Sequence, residues 1–395
     1  MELDETVCET LLPANMTTLE FQRIMAISLP YNVRLFRQIL TGGISTVVTV
    51  VGIIGNILVL AMIRSVHART QVITGLSAIL CWDNLLLVCS WIMYSLTTIA
   101  ENGNFPIMGN FTKLVHYFHT LTNITMVGSI WTTLVVTVNR YLSLCHPLRH
   151  RMSCSAQLTE LCISVTAIGS VVYCIPLYFE NRIVTCAASA GGDPLKPLAR
   201  LDFIVPVSSF RSTTYFALYR VCMGMLLVHV VPFLVISVLT LKMIAQVQKT
   251  DLIYVPSYDN SAEEEILNPK PGGSTSHHHQ FQQIHKHRVQ QFHLARMLTL
   301  LASKFLICYT LPVVLNVIET TISEDSEYLI FIYLVEISNF LVVIHASTNF
   351  LVHFVCSPKC RSRLIAFFRN WCCPLSNLAG GTIGTELVNV RVTFC

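Results

Sequence analysis

Seven segments of this chain are apolar for about the length needed to cross a lipid bilayer, and no other feature restricts the fold as much. A bilayer core offers no water to satisfy backbone N–H and C=O groups. A span must therefore be a helix bonded to itself, about 20 residues long. The segments run Ile39–Ile63, Val72–Ala100, Leu114–Leu144, Leu161–Phe179, Val221–Leu241, Met297–Ile318 and Tyr328–Val355. Isolated ionisable residues interrupt them, notably Asp83, Arg140, Lys304 and Glu336. Only 12% of the 395 residues are charged, about half the share of a soluble domain. That removes the alternative of two or three water-soluble domains. The expected fold class is an all-α membrane protein: a seven-transmembrane helix bundle with a short amphipathic eighth helix.

Orientation follows from the basic residues, which accumulate on the cytoplasmic side. With the N-terminus outside, 16 of the 26 Lys and Arg fall in inner segments and eight in outer ones. The glycosylation acceptors Asn15-Met16-Thr17 and Asn110-Phe111-Thr112 then lie outside as well. A third triplet at Asn123 falls inside a span and carries no weight. The expected layout is an extracellular N-terminus over 1–38, the bundle over 39–355, the amphipathic helix over 356–373 and a cytoplasmic tail over 374–395. The start MELDETVCET has no basic-then-apolar leader, so the first span is expected to serve as its own insertion signal. The destination is the plasma membrane, crossed several times.

Residues 248–290 form a long inner loop with an acidic run, a Pro/Gly/Ser stretch and clustered histidines. That composition reads as disordered. Its histidines read as solvated rather than metal-binding, and no metal site, phosphate loop or nucleic-acid surface is expected, so the chain is not an enzyme. Six of the 15 cysteines, Cys81, Cys89, Cys162, Cys174, Cys222 and Cys308, lie in spans as small apolar residues. Ser357–Trp371 carries Lys359, Arg361, Arg363 and Arg369 beside Leu364, Ile365, Phe367 and Phe368, which suits the inner membrane surface. Cys372 and Cys373 follow at once as palmitoylation sites.

Local patterns fall in matching spans: Gly55-Asn56 in the first, Asp83 in the second and VTVNRYLSLCHPL ending the third. Pro232, Pro312 and Asn349 occupy the fifth, sixth and seventh. In that order and spacing they resemble the rhodopsin class of G-protein-coupled receptors from Ile39 to about Cys373. SIWTTLVVTVNRYLSLCHPL, TGLSAILCWDNLLL, CIPLYFE, YRVCMGMLLVHVVPFL and TNFLVHFV resemble the invertebrate FMRFamide- and myosuppressin-like neuropeptide receptors.

The resemblance implies roles for particular residues. Asp83, Ser129, His345 and Asn349 would form a polar core; the class binds sodium there, but His345 stands where Asn is usual, which counts against a sodium ion. Arg140 matches the arginine that meets the G protein, with Tyr141, Pro147 and Leu148 beside it. Asn139 replaces the usual acid; it can hydrogen-bond Arg140 but cannot form an ion pair, so a weakened inactive lock is expected. Thr310 stands where the class carries Trp, Phe350 follows Asn349 in place of Pro, and His353 replaces Tyr. The usual cysteine at the top of the third helix falls at Val115. Cys186 could then pair with Cys8, remain a free thiol or pair with another molecule.

The class has ligands of several kinds. Val343 replaces the retinal-binding lysine and Thr122 the amine-binding aspartate, so a peptide is expected. Glu180, Glu319 and Glu336 would meet the guanidinium of a peptide ending in Arg-Phe-amide. Phe179, Tyr215, Tyr219 and Thr122 would line its site. Implied partners are this peptide, a heterotrimeric G protein, arrestin, receptor kinases and the bilayer. A chemosensory or orphan receptor for a non-peptide ligand is the alternative. A transporter or channel is the remote one, lacking internal repeats and facing charges along a pathway.

Overall fold

A soluble protein hides its apolar side chains, and this chain does the reverse. Leu161, Val165, Ile168 and Val172, spaced along one helical face, are all more than half exposed. Asn56, Asp83, Ser129, Thr132 and Asn349 are almost wholly enclosed. An apolar exterior of this extent around a polar interior belongs in lipid, where the outward face costs nothing and the inward face must pair with itself. The computed structural model describes residues 30–64, 71–102, 108–153, 155–188, 199–206, 213–246, 248, 296–297, 299–315, 328–356, 361–362 and 365.

Six helices are long and apolar enough to cross a membrane. They are α1 (Tyr31–Ile63), α2 (Gln71–Ile99), α3 (Lys113–Cys145), α4 (Ala156–Phe179), α5 (Cys222–Gln246) and α7 (Leu329–Cys356); the shorter apolar helix Thr299–Leu315 is α6. The chain is thus a multi-pass membrane protein with a seven-helix bundle. Helix α3 is central, with over half of its apolar stretch buried against 17% in α4 and α5. Val127 and Ile130 of α3 pack with Cys174 and Leu177 of α4, Val228 and Ile236 of α5, and Phe305 and Tyr309 of α6. A second cluster joins Leu76 and Ile79 of α2 to Val136 of α3 and Leu301 of α6.

Three features extend beyond the sequence expectation. Helix α1 begins at Tyr31 rather than Ile39. Wider π-helical turns occupy Gln38–Ile44, Trp91–Leu96 and Phe216–Val230, the last preceded by the helical turn Thr213–Tyr215. The connection from α4 to α5 contains an antiparallel hairpin, β1 (Asn181–Ala188) with β2 (Ala199–Pro206), paired from Asn181 with Pro206 to Ala188 with Ala199. Its Ile, Val, Thr and Phe residues suit a pleated strand. The hairpin marks one end of the bundle, and a short helix, Pro147–Ser153, marks the other.

Cys8, Asn15, Glu319, Cys372 and Cys373 lie outside the described residues, as does nearly all of the 248–290 loop. The eighth helix does too, apart from helical Arg361, Ser362 and Ile365. Asn110 stands in the first turn of the helix leading into α3, and Cys186 on β1.

Candidate functional site

At the hairpin end, acid and aromatic side chains gather where α4 stops. Glu180 caps α4 and accepts a hydrogen bond from the Tyr215 hydroxyl at 3.0 Å. Tyr215 stacks on Tyr219 at 5.2 Å between ring centres, and Tyr219 packs on Tyr173 at 5.5 Å and donates to its carbonyl. Beside them a cavity of about 360 Å³ is lined by His116, Tyr117, Tyr178, Phe179, Asn181, Arg182 and Ile183. Tyr117 and Tyr178 stack on one another in its wall, 5.9 Å between ring centres, and the His116 ring lies 5.0 Å from Tyr178. Tyr178 falls within CIPLYFE and its ring is one the sequence offers to a ligand, whereas His116 and Tyr117 escape a motif-based reading because nothing in their local sequence marks them. The hairpin fold brings β1 against the tops of α3 and α4.

The other sequence-predicted ligand residues are placed differently. Thr122 is buried and donates to the Phe118 carbonyl of its own helix at 2.7 Å. Glu336 of α7 is engaged by α1, where Arg37 Nε pairs with Oε1 at 2.9 Å and the Thr41 hydroxyl donates to Oε2 at 2.6 Å. The π-helical turn over Gln38–Ile44 carries Thr41, just after Arg37. A ligand cation reaching Glu336 must therefore displace Arg37.

Midway through the bundle, Asp83 is completely enclosed. Ser129 of α3 donates to Oδ1 at 2.7 Å, and the Asn349 amide donates to Oδ2. Lys304 of α6 donates to the Asn349 side-chain oxygen and, at 2.6 Å, to the His345 carbonyl. Asn56 of α1 links to α7 through the Ala346 carbonyl at 3.0 Å and the Phe350 N–H at 3.2 Å. The His345 ring stands edge-on to Phe305 and Tyr309. Thr310 is exposed, and its hydroxyl donates to the Leu306 carbonyl of its own helix at 2.7 Å. Its neighbour Tyr309 fills the core instead, stacked on Phe305 at 4.5 Å.

At the far end, Arg140 is 8% exposed and its Nε has no hydrogen-bond partner among the described residues. The space beside it is about 10 Å³, walled by Met243 of α5 and Leu301 and Ala302 of α6. That is roughly the room for one water. Asn139 turns away from Arg140, meeting His150 at 3.0 Å and Thr159 at 3.5 Å. Burial, and then the charge of Arg140, hold the His150 imidazole below its usual pKa. The Tyr141 hydroxyl lies 3.3 Å from His146, and the Lys242 ammonium sits over the Tyr141 ring. Pro147 opens the short helix, on which Leu148 is 78% exposed.

Residues 55–352 match the model of the 7 transmembrane receptor (rhodopsin family). The chain is 24% identical over 337 residues to an FMRFamide receptor of Drosophila melanogaster, covering 83% of this chain and 54% of that one. It is 22% identical over 354 residues to an FMRFamide peptide receptor of Caenorhabditis elegans, covering 88% and 73%. A thyrotropin-releasing hormone receptor of Gallus gallus is 24% identical over 164 residues, covering 38% and 40%. This chain thus spans about half the length of the Drosophila relative.

Proposed function

We propose that this chain, which belongs to the rhodopsin family of seven-transmembrane receptors, binds an amidated Arg-Phe-type neuropeptide at its hairpin end and activates a heterotrimeric G protein at its Arg140 end. The hairpin end then faces outside the plasma membrane, with Asn15 and Asn110 open to glycosylation and Cys8 open to pairing with Cys186. Lipid on Cys372 and Cys373 would hold the tail to the inner leaflet. Arrestin and receptor kinases would share the inner face.

The observation that carries the ligand class is the grouping of Glu180 with rings around the cavity. A volume of about 360 Å³ suits a small anchoring group. A phenylalanine side chain gains from offset contact with Tyr117 and Tyr178. Asn181 offers both a donor and an acceptor to a terminal amide. Glu180 supplies a carboxylate for the adjacent guanidinium. The names of the relatives point the same way.

Coupling follows from population shift. The arrangement described is closed, since the space at Arg140 admits no partner side chain. A peptide that binds an arrangement with α6 displaced more tightly than this one moves the equilibrium toward it. Arg140, Tyr141, Pro147 and Leu148 then meet the G protein.

Calcium and cyclic-AMP responses of transfected cells to amidated neuropeptides test the reading. Glu180→Gln is expected to lower the potency of Arg-Phe-amide peptides about 10- to 100-fold, the worth of one charge-assisted hydrogen bond. Glu336→Gln is a poorer probe because it also unties α1 from α7. Silence across the peptides at normal surface expression favours a non-peptide ligand.

The far end yields a second expectation. Asn139→Asp adds a carboxylate next to Arg140 and within reach of His150. A charge-assisted bond in the closed arrangement is expected to cut ligand-free signalling roughly tenfold. Unchanged basal signalling in the variant would remove the idea that Asn139 loosens the lock.

A further inference from the structure

The polar core around Asp83 contains a cation belonging to the chain itself. Lys304 reaches from α6 between α2 and α7, and its ammonium bonds the Asn349 side-chain oxygen and the His345 carbonyl. Asn349 in turn donates to Asp83, and Ser129 donates to the other carboxylate oxygen. The result is one directed chain: ammonium to amide oxygen, amide N–H to carboxylate, hydroxyl to carboxylate. Four helices, α2, α3, α6 and α7, meet in it.

A resident sodium, which the family resemblance implies, does not fit this donor set. Sodium binds through oxygen lone pairs, and the oxygens around Asp83 are already engaged by donors of the chain itself. Asn349 Oδ1 and the His345 carbonyl accept from Lys304, and each Asp83 oxygen accepts its own donor. Among the described residues the one carboxylate here, that of Asp83, is already balanced by the Lys304 ammonium. A second cation would meet like-charge repulsion in a place of low dielectric. Of the remaining nearby ionisable groups, the His345 and His353 rings offer nitrogen, which sodium takes poorly.

We propose that Lys304 takes the place of sodium in this receptor, so that the polar core holds a tethered cation and its stability does not respond to sodium. The tether has a consequence for movement. A diffusible ion can leave while the helices stay, but this charge leaves Asn349 only when α6 itself moves. The core charge and the position of α6 are then one variable.

The test is thermal unfolding of the full-length receptor, solubilised without peptide, so that it stands apart from the ligand assignment. Midpoints are compared in sodium chloride and in choline chloride at equal ionic strength, about 0.1 M, where screening is matched. The wild type is expected to unfold at the same temperature in both salts. A sodium-specific rise in the midpoint overturns the proposal. A mutant cycle supplies the second readout. Asp83→Asn and Lys304→Met are each expected to lower the midpoint by several degrees, since each strands a buried charge. The double variant is expected to regain most of that loss. Losses that simply add would show that the two residues do not share one charge balance, and would overturn it. Should the single variants fail to fold, the salt comparison on the wild type decides alone.

Discussion

Arg140→Ala is expected to abolish G-protein activation while leaving surface expression and peptide binding at wild-type levels. Arg140 is enclosed with an Nε that finds no acceptor among the described residues, and the residue before it is Asn139, turned toward His150 and Thr159. An enclosed guanidinium with an unpaired nitrogen costs folding energy. Its removal therefore does not weaken the closed bundle and can stabilise it. On the proposed mechanism the return on that cost would come when α6 withdraws Leu301 and Ala302, which wall the space beside Arg140, and opens it to the partner. Truncating one side of a buried polar contact with a charge costs about 2–5 kcal/mol, or roughly thirtyfold to a few thousandfold in coupling. Agonist-stimulated nucleotide exchange in membranes, with peptide binding as control, measures it. Arg140→Lys keeps the charge but loses the planar fork, and should retain a small part of the activity. Full exchange by the alanine variant would show that the G protein is met by other residues.

Asn139 illustrates where sequence reading stops. Its identity announced a missing ion pair, and that much was legible. Which neighbour its amide chooses depends on the short helix Pro147–Ser153 bringing His150 back to α3, a tertiary fact with no local signature. The spans were legible because every backbone group in lipid must be satisfied within its own helix, which forces long apolar runs. The hairpin of β1 and β2 was not, since short strands in a loop carry too few residues to distinguish them from irregular chain. Lys304 stood out in the sequence as a charge within an apolar run, but only the crossing of α6 over α7 shows that it answers Asp83. The residue pair Tyr309 and Thr310 is subtler. Counting from Pro312 puts Thr310 at the aromatic position, whereas the helix turns Tyr309 into the core and Thr310 out. Spacing to a proline fixes a register but not which side chain fills the space.

The largest structural effect is expected at the seam between α1 and α7. Gly55-Asn56 is recognisable in the sequence, yet the approach to backbone belongs to its neighbour Gly52. A Cβ added at Gly52 would lie 2.6 Å from Ser347 Cα, so the obstacle is helix backbone rather than a side chain that can rotate away. At Gly55 the added atom would meet the Phe350 ring, which has some freedom to move. Small residues let transmembrane backbones approach closely, and in lipid that packing is much of what joins two helices. Separating α1 from α7 also stretches the bonds from Asn56 to the Ala346 carbonyl and Phe350 N–H, and from Arg37 and Thr41 to Glu336. Overpacking alone costs about 1–3 kcal/mol, and the loss of those bonds adds to it. Gly52→Leu is therefore expected to leave little folded receptor at the surface, with Gly55→Ala milder. Gly43→Leu supplies the control, because a Cβ there meets nothing closer than the Gln38 carbonyl at 3.7 Å and the residue faces outward. Surface-expressed receptor and its unfolding midpoint measure all three. If Gly52→Leu matched Gly43→Leu, the close contact of α1 with α7 would not be holding the bundle together.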